Sequence, residues 1–319
     1  MKQHSFLTAL CLLFAAVPIT GQTIKSSMEF APSEHWVKPV EKPYREEICL
    51  NGTWAFAPVQ LPVGFKEGET PAPALPGVNE VTFSKTPIRI PSPWNVNSFA
   101  DKNGLGGDHR TYPSYPKEWE SIKMGWLQKK FTVPASWKGK RIQIHFEAVA
   151  GKADIYVNGK VVGDNFDIFM PFDIDITDAV KFGQENILNV GIQKSSLFDD
   201  RKSPLGRRTY QGGSFWGQHI AGIWQDVYLV ALPQTRVADV YIQPIVNKNT
   251  LEVEVTLRND ENKPVEVNIS AAAYPWISKA GKTVLTAANP SSQLGSQAAL
   301  QMPTQKVTIP AGKEIKTTL

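Results

Sequence analysis

The chain has 319 residues, 34 Lys and Arg against 30 Asp and Glu, and a formal net charge of +4. The two signs are interspersed, which excludes the concentrated basic footprint of a nucleic-acid or membrane-surface binder. Beyond residues 6–17 no apolar run approaches the ~18 residues needed to cross a bilayer, so no membrane span is expected.

The N-terminus reads as an export signal. Lys2 precedes an apolar core from Phe6 to Val17, and Pro18 and Gly21 supply the breakers and small residues of a cleavage region. Residues 1–21 are therefore assigned as a signal peptide cut near Gly21 or Gln22, and residues 22–44 as an N-terminal extension. Cys11 lies in mid-core after Thr8-Ala9-Leu10, not behind a small-residue lipobox at its end, which argues against a lipid anchor. The destination is the periplasm or the cell exterior of a bacterium. Cys49 is the one cysteine after the leader, so no internal disulfide framework exists and folding rests on buried apolar area.

A period of two dominates the next 190 residues. Residues 141–148 alternate polar and apolar, as a strand with one buried face does. Residues 154–157 and 160–162 flank Asn158-Gly159, the pair preferred where a type I′ turn needs positive φ twice. Residues 186–192 and 224–230 read as further strands, and 177–180 as one capped turn. Trp54, Trp126 and Trp224 are assigned to the core, each worth a few kcal/mol if buried. Trp94, behind Pro91-Ser92-Pro93, stands between core and loop platform. Gly222 is expected to serve a close backbone approach or an unusual φ.

Pro233-Gln234-Thr235 reads as a linker. After it come plain alternating strands at 238–244, 251–257, 265–273, 306–309 and 314–319, separated by turn-forming Asn247-Lys248-Asn249 and by residues 259–263. Short strands at regular spacing point to an immunoglobulin-like sandwich, here short of the usual seven strands. The fold class expected from the residues is all-β, ending in an incomplete immunoglobulin-like β-sandwich over 233–319.

Several segments in this order resemble the N-terminal region of family 2 glycoside hydrolases, which include β-galactosidases, β-glucuronidases and β-mannosidases. They are Leu50-Asn51-Gly52-Thr53-Trp54, Ile90-Pro91-Ser92-Pro93-Trp94, Gly125-Trp126-Leu127, Phe146-Glu147-Ala148-Val149, the Asn158-Gly159 hairpin, Phe172-Asp173-Ile174-Asp175-Ile176-Thr177, Asn186-Ile187-Leu188-Asn189-Val190 and Ala221-Gly222-Ile223-Trp224-Gln225-Asp226-Val227. The resemblance covers residues 45–232 and implies that they form a jelly-roll β-sandwich, galactose-binding-domain-like, ahead of the immunoglobulin-like β-sandwich. It also implies that the two catalytic glutamates lie on a (β/α)8 barrel beyond both β domains.

Retaining glycosidases need two carboxylates about 5 Å apart. A barrel needs about 250 residues of βα alternation, and none is present here. Asn79-Glu80 has the form of the barrel's acid/base dipeptide but sits in a Pro- and Gly-rich loop. No catalytic residue is therefore assigned, and the chain alone is expected to be inactive. The histidines beyond the leader, His35, His109, His145 and His219, show no metal-ligand spacing, so neither metal nor cofactor is expected. His145 is read as a solvent-facing strand residue, Asp173 and Asp175 as a solvated pair, and Cys49 as a buried small hydrophobe.

Carbohydrate is the expected ligand, as an oligo- or polysaccharide, and the barrel absent from this chain is the expected partner. Two long polar–aromatic loops carry the binding expectation, since sugars are held by aromatic faces and planar polar groups. Loop 95–123 holds Tyr112 and Tyr115. Loop 195–219 holds Asp199, Asp200, Arg207, Trp216 and His219. By the resemblance both loops lean over the barrel mouth, and Asp199, Asp200, Arg207, Trp216 and His219 face that cleft; the alternative is that the loops only pack against the barrel. Trp216 stands where some relatives carry an acidic residue, about six positions before the Gly-Ile strand. On the residues alone, a stand-alone carbohydrate-binding module and an adhesive β-sandwich protein also remain open. The first guess for the full-length substrate is a β-galactoside.

Overall fold

The computed structural model describes residues 46–95, 115–202, 220–278 and 292–319; the leader and extension lie outside them. The first region opens with β1 (Glu46–Cys49), β2 (Gly52–Val59), β3 (Ile88–Ile90), β4 (Met124–Thr132), β5 (Arg141–Phe146) and β6 (Val149–Val157). It continues with β7 (Lys160–Asp167), β8 (Phe172–Asp175), β9 (Glu185–Gln193), β10 (Gly222–Ile223) and β11 (Val227–Leu232). One sheet runs β1-β11-β5-β8; the other runs β10-β6-β9-β4-β2-β3, with β7 beside β6. Every pairing is antiparallel, and the two sheets form the jelly-roll sandwich.

Alternation builds this core from both sides. On β5 Ile142, Ile144 and Phe146 are buried, opposite Ala231, Leu229 and Val227 of β11. On the facing sheet Ala153, Ile155 and Val157 of β6 lie opposite Ile192, Val190 and Leu188 of β9, all fully buried. The hairpin residues Asn158 and Gly159 have φ of 53° and 82°, as the turn requires. The Asn158 amide also donates to the Ala179 carbonyl at 2.8 Å, which holds the 177–179 turn in place. Cys49 is completely buried.

Trp54 and Trp126 are buried as expected, and Trp94 joins the core, stacked on Phe56 at 5.0 Å. Trp224 differs. It is half-buried and precedes β11, in the three-residue crossing that carries the chain from β10 in one sheet to β11 in the other. Asp226 ends that crossing, accepting bonds from Asn51 Nδ2 and Tyr228 Oη, both at 2.9 Å. A sheet-to-sheet crossing breaks the continuous strand expected over 224–230. His145 is half-buried, with Nδ1 2.9 Å from Asp173, and Asp175 pairs with Arg141 at 2.6 Å.

The second, immunoglobulin-like region comprises β12 (Thr235–Ile245), β13 (Thr250–Asn259), β14 (Val265–Ile269), β15 (Ala272–Ala273) and β16 (Trp276–Ser278). It ends with β17 (Ser292–Leu294), β18 (Leu300–Gln301), β19 (Gln305–Ile309) and β20 (Glu314–Thr318). One sheet is β12-β13-β20; the pairs β14–β19, β15–β18 and β16–β17 form a ribbon of two arms. The small core joins Val253, Val255 and Leu257 of β13 to Ile269 and Ile309 of the ribbon. Val240, Ile242 and Val237 of β12 stand opposite Val255, Val253 and Leu257, hence on the same face, yet are 47%, 59% and 53% exposed.

Candidate functional site

The site is built where the two long loops leave the jelly roll. At the start of the first loop, the Trp94 N–H donates to the Ala221 carbonyl at 3.1 Å. The buried Asn95 Oδ1 accepts from the Ala221 N–H at 3.0 Å. The beginning of loop 95–123 is thus tied to the end of loop 195–219. Gly222 makes the junction possible: its φ is +118°, and a Cβ there would lie 3.0 Å from the Trp94 ring. Both roles expected of Gly222 are present, and Trp94 is the neighbour that demands the close approach.

The far end of the first loop returns to the same place. Tyr115 is 6% exposed, stacks on Trp119 at 5.1 Å, and its hydroxyl accepts from the Arg89 N–H of β3 at 3.1 Å. Burial raises its phenol pKa. Trp119 sets its ring edge-on to Phe56 at 4.6 Å, and Phe56 in turn carries Trp94. Tyr115 is therefore a core residue that fixes the loop end, with its ring taken up in packing. Three of the four loop ends converge on the Phe56–Trp94–Trp119 stack.

The fourth end is held by a polar clamp. Ser195–Phe198 form a 3₁₀ turn whose Leu197 is buried in a small cluster with Trp126 and Met124. Glu67 accepts from Ser196 Oγ at 2.5 Å and from Lys123 Nζ. Burial acts to raise the Glu67 pKa, but these bonds and the charges of Lys123 and Lys194 outweigh it, holding the carboxyl below its ordinary range. The Lys194 ammonium is pushed down, first by burial and then by Lys123, against the pull of Glu67. The Arg201 N–H donates to the Gly68 carbonyl at 2.8 Å, and the Arg201 side chain lies across the space a Gly68 Cβ would fill.

Asp199 is buried within this clamp, while Asp200 is half-buried, bridges to Gly68 and accepts the Lys202 N–H at 3.1 Å. Tyr112, Arg207, Trp216 and His219 lie outside the described residues. Glu80 closes a local 3₁₀ turn by accepting the Gly77 N–H at 3.2 Å. Among the described residues, no group of three or more His, Cys, Asp and Glu is placed to hold a metal ion, and no helix is long and apolar enough to cross a membrane.

Sequence reasoning missed three contributors. Asn95 was legible only as a loop's first residue, although an Asn directly after Pro-Trp is a ready backbone cap. Glu67 and Gly68 sit in the long connection between β2 and β3, and only the fold brings them to Ser196 and Arg201.

The family model described as "Glycosyl hydrolases family 2, sugar binding domain" matches residues 48–233, more than half of the chain. A beta-glucuronidase of Formosa agariphila is 33% identical over 204 residues, which is 59% of this chain and 20% of that protein. A beta-galactosidase of Thermoanaerobacter pseudethanolicus is 32% identical over 153 residues, 46% of this chain and 19% of that protein. The chain thus spans about a fifth of the length of these curated relatives. Among solved structures, the beta-glucuronidase of Bacteroides uniformis superposes with a TM-score of 0.55 at 18% identity, covering 86% of this chain and 27% of that one.

Proposed function

The chain belongs to glycosyl hydrolase family 2 through the sugar-binding domain of that family, and on that premise we propose that it is the exported, non-catalytic N-terminal portion of a glycosidase. Its jelly roll binds carbohydrate and shapes one wall of a substrate cleft, whose acid and nucleophile are supplied by a barrel in further polypeptide. One observation carries this reading: Trp94 and Asn95 bond to Ala221 at the base of both polar–aromatic loops. That tie brings the start of the first loop and the end of the second together, which supports a reading in which both serve one ligand.

In this reading Asp200, Arg207, Trp216, His219 and Tyr112 present to the sugar. Asp199 and Tyr115 hold the loops from below, in keeping with their burial. The uncovered stripe on β12 supports a second sandwich completed by further strands, and the apolar core at residues 6–17 supports export. The substrate of the longer protein is first taken as a β-galactoside.

The test is a screen of the purified chain on chromogenic β-galactoside, β-glucuronide and β-mannoside, with binding followed by calorimetry. Sugar binding without turnover is the expected result. Turnover by this chain sinks the non-catalytic assignment, and absence of binding to all three glycosides sinks the carbohydrate-binding one. The Trp216→Ala variant is expected to weaken binding about five-fold while leaving the melting temperature unchanged; a large fall in melting temperature instead assigns Trp216 to packing.

A further inference from the structure

Among the described residues of the jelly roll, 167–170 form a built feature with exposed apolar side chains. The Asp167 carboxylate accepts three successive backbone N–H groups, from Ile168, Phe169 and Met170, at 2.5, 2.8 and 2.9 Å. The backbone bonds, that from Met170 foremost, hold its pKa low, so the tie persists at neutral pH. Within the turn Ile168 points inward at 6% exposure, while Phe169 and Met170 are 44% and 64% exposed. The Trp224 indole N–H donates to the Ile168 carbonyl at 2.8 Å, and its ring stands at 90° to Phe169, 5.7 Å away. An exposed Phe169 set against a half-buried Trp224, in a turn locked by four hydrogen bonds, loses little further freedom on binding, which is what a preorganised contact requires.

Its location ties it to the loop junction. Asp167 is opposite Gly151 and Gly222 is opposite Ala150, adjacent residues of β6. The turn therefore lies beside Gly222, where the two long loops meet. A partly exposed aromatic ring and a polarisable thioether suit the C–H face of a pyranose, and Gln225 beside Trp224 carries a planar amide for hydroxyls. We propose that Phe169, Met170 and Trp224 form a subsite for a hexopyranose ring, taken up by its C–H face. The proposal rests on the reading of this domain as carbohydrate-binding.

The test is calorimetric titration of the intact chain with lactose and, separately, methyl β-D-glucuronide at millimolar concentrations. Phe169→Ala and Met170→Ala are compared with wild type, with Phe169→Tyr as the ring-preserving variant and Val161→Ala as a control at another exposed apolar residue of β7 (61% exposed). Phe169→Ala is expected to weaken binding of at least one sugar about five-fold, Met170→Ala about two-fold, and Phe169→Tyr and Val161→Ala not at all. Because both truncations remove exposed atoms, their melting temperatures are expected to match wild type, which keeps lost binding separate from lost folding. Wild-type affinity in both truncations overturns the subsite and leaves the domain's carbohydrate binding intact. No binding of either sugar by wild type overturns the subsite and the broader reading together.

Discussion

In the jelly roll, Ile144 of β5 and Leu229 of β11 stand opposite each other and are both fully buried. In the second sandwich, Ile242 of β12 and Val253 of β13 stand opposite each other, yet one is 59% exposed and the other 6%. Both pairs arise from the same alternating pattern and the same antiparallel pairing. The difference lies in the layer above. Facing strands β6 and β9 cover the first pair, while the β14–β19 ribbon reaches Val253 and not Ile242. Alternation gives a strand a face; only a second layer turns that face into a core, and stability follows the second layer.

The strongest way to break the jelly-roll half of the comparison is Gly222→Val. A side chain there meets Trp94 at 3.0 Å from its first carbon and is forced to a φ of +118°. Strain and overpacking together are expected to cost about 3 kcal/mol or more. Denaturant unfolding of the variant checks this, with hydrogen exchange expected to lose protection in β10 and β11 and to keep it in β13. A wild-type midpoint means that the Trp94–Ala221 junction yields easily and the first sandwich is less tightly determined than its burial implies.

Next in size is a matched pair across the second sheet. Val255→Ala removes two buried carbons and is expected to cost about 2 kcal/mol, whereas Ile242→Ala is expected to stay within about 0.5 kcal/mol of wild type. Equal losses at the two positions mean that β12 is covered in solution, and the contrast between the sandwiches disappears.

The sequence carried much of the first sandwich and little of the site. Asn158-Gly159 announced its hairpin because two positive φ values demand those residues. The alternation over 141–148 announced β5, and Gly222 announced its own constraint. Trp94 and Tyr115 were illegible because an aromatic residue at a loop end serves as core or platform according to what the rest of the chain lays over it; here Phe56 and Trp119 do so. The Phe169 turn lies between the strand read at 160–162 and the segment beginning at Phe172, in a stretch where periodicity assigned no element. Its mark is Asp167, whose carboxylate competes with the ladder for the next three N–H groups. The β12 stripe reads as an ordinary half-buried strand, since periodicity holds no information on whether a partner layer arrives.

The smallest expected effect separates the two regions by acid. Glu67 clamps the jelly-roll loop, and Asp260 joins Arg236 to Arg258 beside the linker into the second sandwich. Burial works to raise both carboxyls, and their hydrogen bonds, from Lys123 and Ser196 or from Arg236 and Arg258, win and hold both below their ordinary values. A depressed folded pKa means stability that is complete above the ordinary value and lost as pH falls through the folded one. The ordinary values are 4.5 for Glu67 and 3.8 for Asp260, so the jelly roll begins to lose its share at the higher pH. Hydrogen exchange along an acid titration checks the order. Glu67→Gln is expected to flatten the acid limb in β4 and β9 alone, and Asp260→Asn that in β12 and β13 alone. Acid limbs unchanged in both variants assign the loss to other carboxylates, and a single shared limb shows that the two sandwiches unfold as one unit.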